Sequence, residues 1–285
     1  MLPIRGAAQR DDNAVLGVEK AVFGRQYMEK MEKLNSEYLY FEEIHHGIIN
    51  EVGTGLKILD VGCGYGQNGE EMIKRGNTVF GVDILPVAID KARTRLTYAA
   101  VADFSRPENI PEEIKREKFD LVVFSDILEH VYDPMCLIRN AIPLMKENAI
   151  LLVSVPNIAN WLNRLKLFFG HWEYTVSGVM DRTHIRFFTL KSVKQLIQAA
   201  GFDVINVSAT PYFLRAFGVQ VRNLLFPDSR DCQPSAPEAL ANFPCYKFYQ
   251  KYIYKPEAAI ANLWKSMFAY QLVITARLVK PLPRQ

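Results

Sequence analysis

The stretch Lys57-Ile58-Leu59-Asp60-Val61-Gly62-Cys63-Gly64-Tyr65-Gly66-Gln67-Asn68-Gly69 limits the fold more than any other part of this sequence. Its first half, Lys57 to Val61, is short, apolar and β-branched, the composition of a buried parallel strand. Three alternate glycines follow, and Glu70 to Arg75 then has the character of a helix. A strand that breaks into Gly-x-Gly-x-Gly and re-enters as a helix lets the backbone approach a bound ligand, because glycine has no Cβ and tolerates positive φ. The stretch therefore implies a nucleotide-like ligand at the carboxyl end of the first strand.

Gly64-Tyr65-Gly66-Gln67-Asn68-Gly69 also satisfies the dinucleotide pattern G-x-G-x-x-G, but in the wrong frame. In that fingerprint the first glycine follows the strand directly and the third lies on the helix. Here the glycine after the strand is Gly62, which leaves Gln67 in the third position. Asp60 adds a charge argument. An acid would repel a pyrophosphate and attract an ammonium or a sulfonium. Asp-x-Gly-x-Gly-x-Gly at a strand end resembles motif I of the class I S-adenosylmethionine (SAM) dependent methyltransferases.

The rest of the chain has the alternation such a fold requires. Strands are expected at Thr78 to Asp83, Thr97 to Ala102, Phe119 to Phe124 and Ala149 to Val155, with helices at Pro86 to Leu96 and from Asp133-Pro134 onward. Five strands alternating with helices argue a doubly wound, mostly parallel sheet. Two more strands, Phe202 to Ser208 and Phe268 to Leu278, are expected to form an antiparallel hairpin at one edge, giving seven. The expected organisation is a leader and helices over 1–51, a cofactor-binding core over 52–210 with a lid at 157–189, a helical and loop insertion over 211–266, and a last strand with a tail over 267–285. Helices are expected at Asn157 to Phe169, Leu190 to Ala200 with Thr189 as N-cap, Pro211 to Phe226, and Ala258 to Phe268. His45-His46 is expected to be solvated helix surface, since adjacent helical residues do not face one target.

The candidate cofactor residues fall at strand ends, where open α/β sheets hold ligands. Asp83 lies about 20 residues after the glycine loop, where an acid can accept hydrogen bonds from ribose hydroxyls. Asp60, Gly62, Gly64, Gly66, Asp83 with its neighbour Ile84, and Ser125 at the end of strand four make up the set read in this way. The resemblance adds Asp103 for the adenine amino group, with Phe104 near the ring, and implies that the helix before strand one packs over the methionine end; Tyr40 on that helix can line the site but is expected to pack on the core. Glu129-His130-Val131 and Asp181 to Phe188 are similar to the ubiquinone-biosynthesis-like and polysaccharide-associated branches of that family.

A hydroxyl acceptor needs a base for its proton. His130, just past strand four, is the first candidate and His184, in the lid, the second; Arg186 can hold an anionic group. Asp126, Glu129 and His130 have an i, i+3, i+4 relation that can gather a cation, but no clear fourth ligand accompanies them and no metal is expected. The resulting expectation is O-methylation of a saccharide or another hydroxylated metabolite. The alternatives are a quinone or lipid-like acceptor at a membrane surface, a nicotinamide oxidoreductase, and a non-catalytic SAM-binding module.

Composition excludes other classes. The chain has 285 residues, 34 basic against 31 acidic, and a net charge of +3 is too small to imply nucleic-acid binding. Four scattered cysteines without a C-x-x-C pair point to a reducing compartment. No apolar run reaches the ~18 residues of a spanning helix, and no secretory h-region follows the N-terminus. A cytoplasmic protein is expected. Peripheral membrane contact is expected only through the arginine-bearing amphipathic segment 211–226.

Overall fold

The computed structural model describes residues 44–211, Tyr252 and residues 254–279. The element order is α1 (His46–Glu51), β1 (Lys57–Val61), α2 (Gln67–Lys74), β2 (Thr78–Asp83), α3 (Pro86–Ala92), β3 (Tyr98–Val101), α4 (Glu112–Lys115), β4 (Phe119–Ser125), α5 (Pro134–Ala141), β5 (Met145–Pro156), α6 (Trp161–Phe168), α7 (Leu190–Ala199), β6 (Phe202–Pro211), α8 (Tyr254–Leu263), α9 (Lys265–Phe268) and β7 (Ala269–Leu278), with short 3-10 turns at Pro107–Asn109, Leu128–His130 and Ile142–Leu144.

The strands form a seven-stranded sheet in the order β3-β2-β1-β4-β5-β7-β6. The pairs among β1 to β5 are parallel, and β7 runs antiparallel between β5 and β6. Strand order reverses between β1 and β4, where open α/β sheets form a ligand crevice. The β1 strand is apolar at consecutive positions because both its faces are covered. Ile58 packs with Met72, Val79 and Ile89 on one side, and Leu59 with Val122, Phe124 and Ile138 on the other. Burying a side chain of this size stabilises the fold by roughly 1.5–3 kcal/mol.

Local chemistry sets several boundaries. Thr189 caps α7 through a reciprocal box with Ser192, and Asp133 caps α5 ahead of Pro134. Gly69 brings α2 close to the turn after α3, since a Cβ there would lie 2.4 Å from Leu96 Cδ2. Three expected helices are shorter or broken. The helix at Pro86 ends at Ala92, and the one expected from Asn157 begins only at Trp161. Asn157 and Asn160 are fully buried, and Asn160 serves as the N-cap. The helix expected over Ala258 to Phe268 is two pieces that meet at Trp264. Tyr40 and most of 211–266, including the helix expected at 211–226, lie outside the described residues, as do Cys232 and Cys245. Cys63 and Cys136 are free thiols.

Candidate active site

The loop after β1 is held from below by β2: Gly62 and Cys63 N–H both donate to Val82 C=O. Gly62, Gly64 and Gly66 all have positive φ, at 76°, 53° and 82°. At Gly62 a Cβ would also lie 2.3 Å from Ile127 Cδ1, so the position has no room for a side chain as well as the wrong backbone for one. Asp83 organises the loop. Its Oδ2 accepts from Gly64 N–H and its Oδ1 from Leu85 N–H, each at 2.9 Å. Burial raises the Asp83 carboxyl above its usual range, and these backbone donors act in the opposite direction. Each oxygen retains an acceptor lone pair for a ligand hydroxyl.

Asp60 is the least satisfied group of the loop. It is 1% exposed, and Oδ1 has no hydrogen-bond partner. Burial, followed by the charge of Asp83, pushes its carboxyl up to about 7. A buried orphan carboxylate costs free energy until it is neutralised, by a proton or by a cation. Bare backbone and an unsatisfied acid together fit a cationic adenosyl ligand.

The other expected cofactor residues divide. Ser125 ends β4 and accepts a long contact from Asn68 Nδ2 at 3.5 Å. Ile84 is 40% exposed beside Asp83. Asp103 follows β3, next to β2, with Ala102 N–H donating to Asp83 C=O. Its carboxylate is largely engaged by its own turn, accepting from Ser105 N–H and Oγ and lying 3.3 Å from Arg106 Nε. Phe104 turns into the core, edge-on to Phe124.

Past β4 the chain departs from a helix. Asp126 has φ 50°, and Leu128–His130 is a 3-10 turn, so the spacing expected to gather Asp126, Glu129 and His130 on one helical face does not do so. Asp126 instead accepts from Ser154 Oγ at 2.9 Å and from Gln271 Nε2 at 2.7 Å. Glu129 and His130 meet His184, with ligand-type atoms of the three within 4.8 Å of one another. Glu129 is 1% exposed and neither carboxyl oxygen has a partner, and its pKa is raised by burial and then by Asp126. His130 and His184 are stacked edge to face at 4.8 Å. Burial and the neighbouring His184 lower the His130 pKa to about 4, and burial lowers that of His184. Both imidazoles are thus neutral at pH 7. That is the state of a base, and with Glu129 it is also a donor set suited to a divalent cation.

The loop return that assembles this cluster was invisible in the sequence. Ile185 and Arg186 N–H both donate to Glu129 C=O, and His184 Nδ1 lies 3.1 Å from Val179 C=O. Arg186 hydrogen-bonds through its guanidinium to Tyr132 C=O and lies over the Tyr132 ring. His45 corrects the expectation made for it: its side chain is only 9% exposed and its Nε2 faces Asp126. His46 is exposed as expected.

A family model described as a methyltransferase domain matches residues 31–207, more than half of the chain. The chain belongs to this methyltransferase family. The class I SAM-dependent assignment, and SAM as the cofactor, follow from that membership. The ubiquinone biosynthesis O-methyltransferase of Rhodopseudomonas palustris (strain BisB5) is 31% identical over 157 residues, which cover 54% of this chain and 61% of that protein. The same-named protein of Actinobacillus pleuropneumoniae serotype 7 (strain AP76) is 34% identical over 136 residues, 46% of this chain and 57% of the relative. The match thus spans about three-fifths of the length of these curated relatives. A solved structure from Thermotoga maritima, titled a SAM-dependent methyltransferase and possible histamine N-methyltransferase, aligns with TM-score 0.52 and 14% identity, covering 89% of this chain and 97% of that one. That likeness shows the shared fold. Among the described residues no helix of this methyltransferase is long and apolar enough to cross a membrane.

Proposed function

We propose that this methyltransferase transfers a methyl group from SAM to a hydroxyl of a small molecule. The observation that carries the reading is the buried Asp60 carboxyl, its Oδ1 without a hydrogen-bond partner, beneath a loop in which Gly62, Gly64 and Gly66 all take positive φ. Gly62, Gly64, Gly66, Asp60, Asp83, Ile84 and Ser125 would hold the cofactor, with Asp103 and Phe104 at its adenine end. When bound, the sulfonium supplies an activated methyl. The protein then has to orient the acceptor, exclude water and take the hydroxyl proton.

His130 is the proposed base, neutral at working pH and backed by His184. Its lowered pKa makes it a weak base, so Glu129 and a cation shared with the two histidines are the second way to lower the acceptor's pKa. Among acceptors, the names of the relatives favour a quinone-like hydroxylated compound over the saccharide expected first. A glycan, and membrane contact through 211–226, stay as alternatives.

Incubation with methyl-labelled SAM and a panel of catechols, hydroxyquinones and saccharides tests the reading, with label expected in the phenolic members. Calorimetry that detected NAD binding and none for SAM would overturn it. His130→Gln is expected to lower kcat at unchanged SAM affinity, and an unchanged kcat would remove His130 from the mechanism while leaving methyl transfer intact.

A further inference from the structure

Behind the glycine loop stands α3, and it holds one residue of that loop in two places. Tyr65, half-buried, is the one aromatic in the run from Gly62 to Gly66. Lys91, on α3, sets its Nζ over the Tyr65 ring, 4.1 Å from the centroid. Arg95, in the turn just past α3, donates from its guanidinium to Tyr65 C=O at 3.2 Å. The same guanidinium lies 3.7 Å from Glu70 Oε2 on α2, which opposes its charge. Beneath these polar contacts the packing is apolar and close: a Cβ on Gly66 would lie 3.3 Å from Ala92 Cα and 3.2 Å from Leu96 Cγ. The loop needs such a hold. Gly64 and Gly66 flank Tyr65 at φ 53° and 82°, and a glycine loses more conformational freedom on ordering than any other residue. Within the loop itself, Gly66 N–H donates to Cys63 C=O at 2.9 Å and Cys63 Sγ reaches Gly64 C=O at 3.7 Å. Ordering left undone before binding lowers the affinity of the ligand that must then impose it.

We propose that Tyr65, Lys91 and Arg95 form a positioning clamp that holds the glycine loop in its ligand-ready form before the cofactor arrives. Each acts through the loop and not on the cofactor. Arg95 fixes the main chain at the carbonyl between the two glycines, by a hydrogen bond from a charged donor. Lys91 fixes the side chain through a cation–π contact, which is made by the face of the ring. The inference rests on the SAM reading of the loop for its ligand and on the loop's own contacts for the clamp.

Two measurements on the full chain test it: amide hydrogen exchange without ligand, and calorimetry with SAM. Exchange is read at Gly64 and Gly66, whose N–H groups are hydrogen-bonded. In Arg95→Met the apolar stem stays and the donor goes. Exchange at the two glycines is expected to quicken about fivefold or more, with exchange in β1 and Tm unchanged. SAM affinity is expected to fall about tenfold, through a less favourable binding entropy. Tyr65→Leu and Lys91→Met each remove the ring contact and should weaken SAM about threefold. Combined, they should weaken it no further than either alone. Tyr65→Phe keeps both the ring and the carbonyl, and should match the native chain in exchange and in affinity. The proposal is overturned if exchange at the glycines stays native in Arg95→Met and Tyr65→Leu, or if Tyr65→Phe is as impaired as Tyr65→Leu. Faster exchange throughout the sheet with a lowered Tm would also overturn it, by making the contacts structural only. Quickened exchange with unaltered SAM affinity would overturn the clamp alone, whereas a native chain that bound no SAM would defeat the cofactor reading beneath it.

Discussion

Two buried carboxylates on either side of the crevice are held in opposite ways. Asp83 has a backbone N–H on each oxygen, whereas Glu129 has no partner on either. The cofactor side is thus built largely from main chain: glycines, the β2 ladder and a loop-organising acid. The far side is built from side chains, Glu129, His130 and His184, carried on a 3-10 turn and an irregular loop. A backbone-built site is rigid and tolerates a common ligand. A side-chain-built site can change its acceptor without disturbing the fold.

The sharpest way to break this contrast is Gly62→Ala. A φ of 76° and a Cβ 2.3 Å from Ile127 Cδ1 should cost about 2 kcal/mol of stability and weaken SAM binding by roughly thirtyfold or more. Denaturant titration and calorimetry measure the two, and tight SAM binding by this variant would mean that the loop is not the cofactor cradle.

On the far side the expectation reverses. Glu129→Met removes two unsatisfied buried oxygens, so the fold should gain about 1–3 kcal/mol while methyl transfer falls at least about tenfold and SAM affinity holds. A variant losing stability and activity together would show that Glu129 has a structural role instead.

Asp60 gives a pH signature to the cofactor side alone. Between the ordinary carboxyl value of 3.8 and about 7, the folded chain keeps a proton that the unfolded chain has released. Its contribution therefore turns against the fold as pH rises through that window. SAM affinity should rise over the same range as the carboxylate forms, by at most about tenfold per pH unit. Asp60→Asn should lessen the slope of both profiles in thermal melts and calorimetry, leaving the share that the raised carboxyls of Asp83 and Glu129 contribute to stability, and an unaltered slope would assign the titration to another group. The smallest effect belongs to neither side: Thr189→Ala should cost about 1 kcal/mol through loss of the α7 cap and leave SAM affinity where it was.

The amino-acid sequence alone determined the alternation, the five parallel strands, the glycine loop and the acids at the ends of β1 and β2. Each of these is local: a run of apolar residues must be covered on both faces, and alternate glycines permit one kind of turn. Tertiary structure decided what long-range return brings together. The i, i+3, i+4 spacing of Asp126, Glu129 and His130 suggested one helical face, but a left-handed residue at 126 sent the first acid toward Ser154 and Gln271. Residues 184–186, more than fifty positions on, supplied the group that meets the other two. His45 looked like solvated surface because its local pattern is that of a helix end, and only the tertiary fold, which sets its Nε2 3.4 Å from Asp126 Oδ2, takes it out of solvent. Spacing along a chain reports a shared face only while the backbone keeps its period, and at the ends of these strands it does not.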